Sequence, residues 1–301
     1  MVNNRVVIPE KRIRREANNL AMAFRGIKRN QVPIYTAEEI IKQAVKKHGN
    51  KLVLGFSGGH CSVTLLHMAL KVKPDIKVVF NNTGVEFPEN VKYVHLIEDL
   101  WNLNLIVTRP KDNFWVIAAE HGMPLPRSMG FGKKKRYTVP RNRFASDKRP
   151  WCCHLLKEVA RYGYYIREGI TGDMGGLRAS ESRLRAMHTG KYGQIYHVKK
   201  LKIRPAMWVY NPIALWTIID VENYLINHDI PRNLVYETQT RNGCWTCTCY
   251  KGWEENIFRW NPRAYKILAK KYNKSRPPSV PPAKIIEVSK DDMKSHDCPM
   301  L

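Results

Sequence analysis

Apolar positions along the chain alternate between two rhythms. In YTAEEIIKQAVKKHGN, residues 35–50, they recur at helical spacing, with Thr36 as N-cap, Glu39 completing a capping box and Gly49 as a stop. KLVLGF, residues 51–56, reads as a buried strand, and from Ser62 the residues Val63, Leu66, Ala69 and Leu70 return to helical spacing before Pro74. IKVVFNNTG (76–84) predicts a strand, PENVKYVHLIEDLWN (88–102) a helix and LNLIVTR (103–109) a third strand. NFWVIAAEHG (113–122) predicts a helix capped by Asp112, HLLKEVARYG (154–163) another helix, and YYIREGITGD (164–173) a strand. TIIDVENYLINHD (217–229) predicts a helix capped by Thr217, and a last helix starts at Asn261-Pro262 and runs to about Tyr272.

Strands alternating with helices predict an α/β fold: a parallel, doubly wound sheet with helices on both faces. A small C-terminal helical extension carrying cysteines follows it. The expected divisions are a basic N-terminal arm at 1–35, an α/β domain at 36–240, and a segment at 241–301 with a C-x-x-C, a helix and a Pro-rich tail. Residues 124–150 are basic and rich in Gly and Pro, and read as a loop. No internal repeat is visible. Ligands of such sheets sit beyond the carboxyl ends of strands. Ser57-Gly58-Gly59 and Asn82-Thr83-Gly84 fall at two of those ends.

Charge and length add constraints. Lys plus Arg number 51 against 26 Asp plus Glu, a formal charge of +25. Such a surplus suits a polyanionic partner such as nucleic acid, nucleotide phosphates or sulfate esters, and equally suits a plain solvated surface. At 44% hydrophobic residues the 301-residue chain can bury a sizeable core. No apolar run reaches bilayer-spanning length, and the basic start lacks the apolar stretch of a secretory signal. The expectation is a cytoplasmic protein with no membrane partner.

Ser57-Gly58-Gly59 follows a strand and precedes a helix. Glycines without a Cβ let backbone N–H groups close on an anion, and the helix aims its positive end at the same place. Ser57 and Ser62 add hydroxyls. SGGHCS resembles the SGG-x-x-S loop of the adenine nucleotide alpha hydrolase-like (PP-loop) superfamily, which includes the ATP pyrophosphatases and the phosphoadenosine phosphosulfate reductases. NNTGVEFPE is similar to the reductase stretch D-T-G-x-x-F-P-E, with Asn82 for Asp. FWVIAAEHGMPLP, RPWCCHLLK, GLRASESRLR and NPIALWTIIDVENYL match further reductase segments in order, so the resemblance spans roughly residues 36–250.

The resemblance implies an adenine-nucleotide-binding domain. It assigns Ser57, Gly58, Gly59 and Ser62 to phosphate or sulfate, and Thr83 and Gly84 to the neighbourhood of the adenosine. It places Arg178, Glu181, Ser182 and Arg185 around the bound anion. Guanidinium forks match sulfate and phosphate oxygens, while a surface cluster of Arg178 and Arg185 with Glu181 is the plainer alternative. Pyrophosphatase relatives carry an Asp where Cys61 lies; Cys61 is a poor ligand for Mg²⁺, which tilts the reading toward reductases. His60 is either a cationic donor or a solvent-facing residue.

Seven cysteines are present, and four of them form a pattern: adjacent Cys152-Cys153 with Cys244-x-x-Cys247. An adjacent pair is awkward for one tetrahedral ion but can bind two irons of a larger cube. The resemblance implies a [4Fe–4S] cluster on Cys152, Cys153, Cys244 and Cys247, with zinc as the alternative and Cys249 a spare or substitute ligand. In the reductases the match to Lys157 lies near cluster and substrate. They also carry a catalytic cysteine on a mobile C-terminal segment. Cys298 corresponds by position only, since His296-Asp297-Cys298-Pro299 lacks the family's motif; Cys61 is a second candidate thiol.

The function this implies is reduction of adenylyl sulfate, or its 3′-phosphorylated form, to sulfite with release of the nucleotide. A cysteine thiolate would attack the sulfate sulfur, and a thiol donor such as thioredoxin would then free sulfite. A homo-oligomer is expected. The alternative is an ATP-dependent enzyme inserting sulfur into nucleic acid, which the charge and the wording GCWTCTC favour. A non-catalytic nucleic-acid-binding module using the basic loop at 133–149 ranks third.

Overall fold

In a computed structural model of the chain, residues 8–124, 151–250, 252–275 and 282–284 are described. The basic loop at 133–149 and Cys298 therefore lie outside the described residues. In order, the elements are α1 (Glu10–Asn30), α2 (Ala37–His48), β1 (Leu52–Phe56), α3 (His60–Leu70), β2 (Lys77–Asn81), α4 (Pro88–Trp101), β3 (Asn104–Thr108) and α5 (Phe114–His121). A wide-turn π segment at Cys153–Glu158 leads into α6 (Val159–Arg167), β4 (Gly172–Gly175), α7 (Arg183–Tyr192), β5 (Ile195–Val198) and β6 (Met207–Tyr210). Then come α8 (Ile218–Asn227), α9 (Val235–Thr238), α10 (Trp253–Trp260) and α11 (Pro262–Ser275). No helix among the described residues is long and apolar enough to cross a membrane.

The six strands form one sheet in the order β3-β2-β1-β4-β6-β5. β1 runs parallel to both β2 and β4, and β4 parallel to β6. β5 is antiparallel to β6, so the sheet is mixed where a wholly parallel one was expected. The reason is local: residues 199–206 alone join the two strands, too short a path for a parallel crossover. Successive strands leave β1 in opposite directions, toward β2 and toward β4. The switch point of the sheet is therefore the gap between the carboxyl ends of β1 and β4, where Ser57-Gly58-Gly59 begins.

Local chemistry explains most boundaries. Thr36 accepts from Glu39 N while Glu39 reaches back to Thr36 N, the expected capping box. Thr217 and Asp220 build a second one at α8. At α5 the cap is Asn113, whose side chain accepts from the N–H groups of Trp115 and Val116, and not Asp112. The strand expected over 164–173 shrinks to Gly172–Gly175, because Tyr164 to Arg167 finish α6 and Gly169, at φ +62°, lets the chain turn. Tyr162, Tyr164 and Tyr165 are the aromatic residues that suggested a strand; they are buried with Val53, Val79 and Ile170 from a helix instead.

The chain divides into two compact units. The first comprises Met1–Phe80, Val94–Val107 and Tyr162–Asn233; the second comprises Asn81–Tyr93, Thr108–Arg161 and Leu234–Leu301. In the first unit, the N-terminal segment is a 21-residue helix that buries Glu16, Asn19, Ala23 and Ile27. It packs on α7 through glycines: a Cβ on Gly26 would lie 2.7 Å from the Gly190 Cα. Asn30 donates to both Gly26 O and Gly190 O at 2.8 and 2.9 Å, fixing that crossing. The second unit has a separate aromatic core in which Phe87, Phe114, Trp151, Trp245, Trp253 and Trp260 surround Cys152 and Leu156.

Candidate anion loop and thiol cluster

The loop after β1 is held in shape by its own serines. Ser62 Oγ donates to Gly59 O at 2.9 Å, and both Ser57 N and Ser57 Oγ donate to Ser62 Oγ, at 3.3 and 3.2 Å. Gly58 has φ +72°, a conformation that favours glycine, and Asn233 Nδ2 fixes its carbonyl at 2.9 Å. Gly176, just past β4, allows close approach: a Cβ there would lie 2.8 Å from Cys61 O. Ser57, Gly58, Gly59 and Ser62 thus share one turn at the N-terminus of α3. A charge-favouring helix end and close-packed backbone are what an oxyanion needs.

His60 is not a solvent-facing residue. Its side chain is 11% exposed, and Nδ1 pairs at 2.7 Å with the Glu222 carboxylate, which also accepts from Arg232 at 2.8 Å. Burial pushes the Glu222 carboxyl up, but His60 and Arg232 outweigh it and hold it below the usual range.

Arg178 sits beside the loop, yet it is 1% exposed. Its Nη1 donates to Glu16 Oε2 at 2.7 Å and to Ser180 Oγ at 2.8 Å, and its Nε donates to Cys61 Sγ at 3.1 Å. Burial opposes its charge, but Cys61 and Glu16 raise its pKa. Glu16 also accepts from Ile218 N at 2.8 Å. Glu181 pairs with Arg185 and lies 3.7 Å from Cys61 Sγ, and Ser182 is spent capping α7 through Arg185 N. Of the four residues expected around an anion, Arg178 is enclosed by protein partners, while the Arg185 side chain is 42% exposed.

The second unit gathers five thiols. Cys152 is hydrogen-bonded to Cys153 and to Cys249, and Cys249 in turn to Cys247. Cys244 is close enough to Cys152 and Cys153 to feel their charge. The Cys153 bond favours the Cys152 thiolate, but the Cys249 bond and burial outweigh it and push that thiol up. Burial, with Glu86, pushes Cys244 up to about 11, whereas the Cys249 bond holds Cys247 down. Among the described residues, no three His, Cys, Asp or Glu side chains close on one point as a single ion requires. A tetrahedral zinc would draw its sulfurs to roughly 4 Å of one another, given Zn–S bonds of about 2.3 Å. A polynuclear iron–sulfide core takes each thiolate on a different iron and leaves them wider apart. Converging cysteines from two distant segments fit such a core in donor chemistry.

Thr83, Gly84 and Lys157 belong to this same unit. Thr83 Oγ1 donates to Glu86 Oε1 at 3.0 Å and lies 3.5 Å from Cys244 Sγ, while the Cys244 thiol points at Glu86 at 3.6 Å. Gly84 has φ +77°, and its N–H donates to Asn82 Oδ1. Lys157 Nζ is 3.3 Å from Glu86 Oε1. Burial opposes its charge, but Cys244, Glu86 and Cys153 hold the ammonium above its ordinary range. Two participants escaped sequence reasoning. Glu86, only 3% exposed, carried no signal beyond its place in the NNTGVEFPE motif, and Glu16 carried none.

A family model described as the phosphoadenosine phosphosulfate reductase domain matches residues 51–250. The chain is 28% identical to an adenosine 5′-phosphosulfate reductase of Streptomyces coelicolor, covering 76% of this chain and 85% of that one. It is 26% identical to adenosine 5′-phosphosulfate reductase 1 of Bacillus subtilis, over 77% and 89% of the two chains. An uncharacterized Methanocaldococcus jannaschii protein is 29% identical over 72% of this chain, which spans only 40% of its length. The crystal structure of a phosphoadenylyl-sulfate reductase from Candida auris, a phosphate complex, superposes with a TM-score of 0.52 at 19% identity. It covers 74% of this chain and 94% of that one, a likeness of fold.

Proposed function

Because the chain belongs to the phosphoadenosine phosphosulfate reductase family, we propose that it reduces adenylyl sulfate, or the 3′-phosphorylated form, to sulfite and releases the nucleotide. The observation that carries this reading is the thiol group itself: five cysteines converge in one unit with Lys157 and Glu86 beside them. Cys152, Cys153, Cys244 and Cys247 would hold a [4Fe–4S] cluster, which supplies a cationic, redox-capable centre when bound. Ser57, Gly58, Gly59 and Ser62 hold the oxyanion, and Arg185 contributes charge at its rim. Arg178 acts one step back, fixing Cys61 and the loop through Glu16.

The covalent step falls to a cysteine thiolate, with Cys298 assigned that role. A sulfur–sulfur bond forms as the ester S–O bond breaks, and the nucleotide leaves with its phosphate oxygen. A dithiol such as thioredoxin then reduces the S-sulfocysteine, releasing sulfite and leaving the donor oxidised. No pyrophosphate is cleaved, in keeping with a guanidinium-bound Cys61 in place of a Mg²⁺-organising carboxylate.

The charge of +25 favours a second reading, ATP-dependent insertion of sulfur into nucleic acid. One assay separates the two. The anaerobically purified chain is given adenylyl sulfate, its 3′-phosphorylated form or ATP, with a dithiol and a chelator of divalent cations. Sulfite from a sulfate ester under these conditions supports the reductase. No sulfite, with pyrophosphate appearing from ATP only when Mg²⁺ and nucleic acid are restored, refutes it.

A further inference from the structure

We propose that Cys249 is a working member of the thiol group and that Cys247 and Cys249 serve one corner of its metal centre interchangeably. The inference rests on the reading that these thiols hold an iron–sulfur centre.

The four-cysteine pattern leaves Cys249 without a role, yet the fold places it among the others. Cys249 Sγ is hydrogen-bonded to both Cys152 and Cys247 and lies in charge contact with Cys153. Cys247 likewise lies in charge contact with Cys152. Two thiols from one short stretch therefore reach the same partner. Cys244 is placed differently. Its Sγ is held by Thr83 and Glu86, and its backbone bridges to Glu86.

The residues between the cysteines explain how both thiols face one group. Trp245, Thr246 and Thr248 are 3%, 0% and 0% exposed. Trp245 N donates to Val85 O at 3.0 Å, and Thr248 Oγ1 donates to Pro124 O. Cys247 N donates to Cys244 O at 3.2 Å, closing a turn. With the intervening side chains buried on other partners, Cys247 and Cys249 are left on the thiol side.

A cube offers four irons, and each takes one protein ligand. Five thiols exceed that number by one. Exchange at the shared corner is chemically simple. The iron–sulfur bond to Cys247 breaks as that to Cys249 forms, and one proton passes from the incoming to the departing thiol. No electron is gained or lost.

The test is metal content of the full chain, purified anaerobically, as wild type, Cys244→Ser, Cys247→Ser, Cys249→Ser and the Cys247→Ser/Cys249→Ser double variant. Iron, acid-labile sulfide and visible charge-transfer absorption are read per chain, beside a circular-dichroism melt. Both single variants at positions 247 and 249 are expected to keep at least about half of the wild-type iron. The double variant and Cys244→Ser should fall roughly tenfold. Retention in both singles supports the inference by itself, because a loaded site is a folded one. Iron lost in Cys247→Ser alone, with Cys249→Ser at wild-type content, overturns it by making Cys249 a bystander. The converse result overturns it by making Cys249 a fixed ligand. Should a Ser variant melt early, the Ala variant at that position decides. A wild-type chain devoid of iron and sulfide refutes the cluster reading itself, a result distinct from either.

Discussion

Glu16→Ala should unseat the N-terminal helix from the first unit. The Glu16 carboxylate is buried against the equally buried Arg178, at 2.7 Å, with side-chain exposures of 2% and 1%. Removing the acid leaves a guanidinium enclosed without its counter-charge, and such breaks of a buried pair cost about 3–5 kcal/mol. The N–H of Ile218 loses its acceptor as well. At roughly 2–4 °C per kcal/mol for a unit of this size, melting should fall by about 6–20 °C. Arg178→Met in the same chain should recover much of that loss, because no buried charge then remains. The pH dependence has a definite sign. Burial raises the Glu16 pKa, but Arg178 and Ile218 outweigh it, so the folded value lies below the ordinary one of about 4.3. The pair's stabilisation is thus present above that pH and lost as pH falls through the folded value. Circular-dichroism melts from pH 7 to pH 3 measure both effects. A Glu16→Ala chain that melts within 2 °C of wild type at pH 7, as an approximate margin, would refute the claim that this pair anchors the helix.

Other perturbations follow from the same geometry. Gly26→Ala should destabilise by about 1–3 kcal/mol, since its Cβ would meet Gly190 Cα at 2.7 Å; chemical denaturation measures it. Ser62→Ala removes three hydrogen bonds that shape the loop and should weaken nucleotide binding about tenfold in calorimetry, with little change in melting. His67, in contact with Tyr224, His228 and Trp101 and near Lys71, has its pKa lowered to about 4, chiefly by burial and then by Lys71 and His228. Stability should therefore decline as pH falls from about 6.5 toward the folded value, and His67→Phe should flatten that limb of a melting-versus-pH curve. Lys157→Met should lower turnover more than it changes melting, leaving Glu86 beside Cys244 without its cation; steady-state sulfite release reads the difference.

Much of the sheet was legible because its central strands are short apolar runs closed by glycine or a capping residue. Leu52–Phe56 and Lys77–Asn81 read directly, and the two capping boxes announced α2 and α8. β5 and β6 escaped because they are four residues each, with several half-buried positions that give no clean alternation. The strand expected at 164–173 failed because tyrosines suit strands, but tertiary burial placed these on a helix. The serine–glycine loop and the cysteine spacing were visible as motifs. What the motifs could not convey is partnership. Arg178 meets Glu16 across 162 residues of chain, and only the packing of α1 against α7 brings them together. Cys249 stood in plain view two residues after Cys247, but its place among the thiols depends on the burial of Thr246 and Thr248.

The most direct measurement is the intact mass of the anaerobically purified chain after one exposure to adenylyl sulfate, with no thiol donor present. A sulfate-ester reductase should gain one sulfonate per chain, release an equal amount of nucleotide, and lose the added mass on treatment with dithiol. An unchanged mass, with adenylyl sulfate recovered intact, would contradict the proposed chemistry at its root.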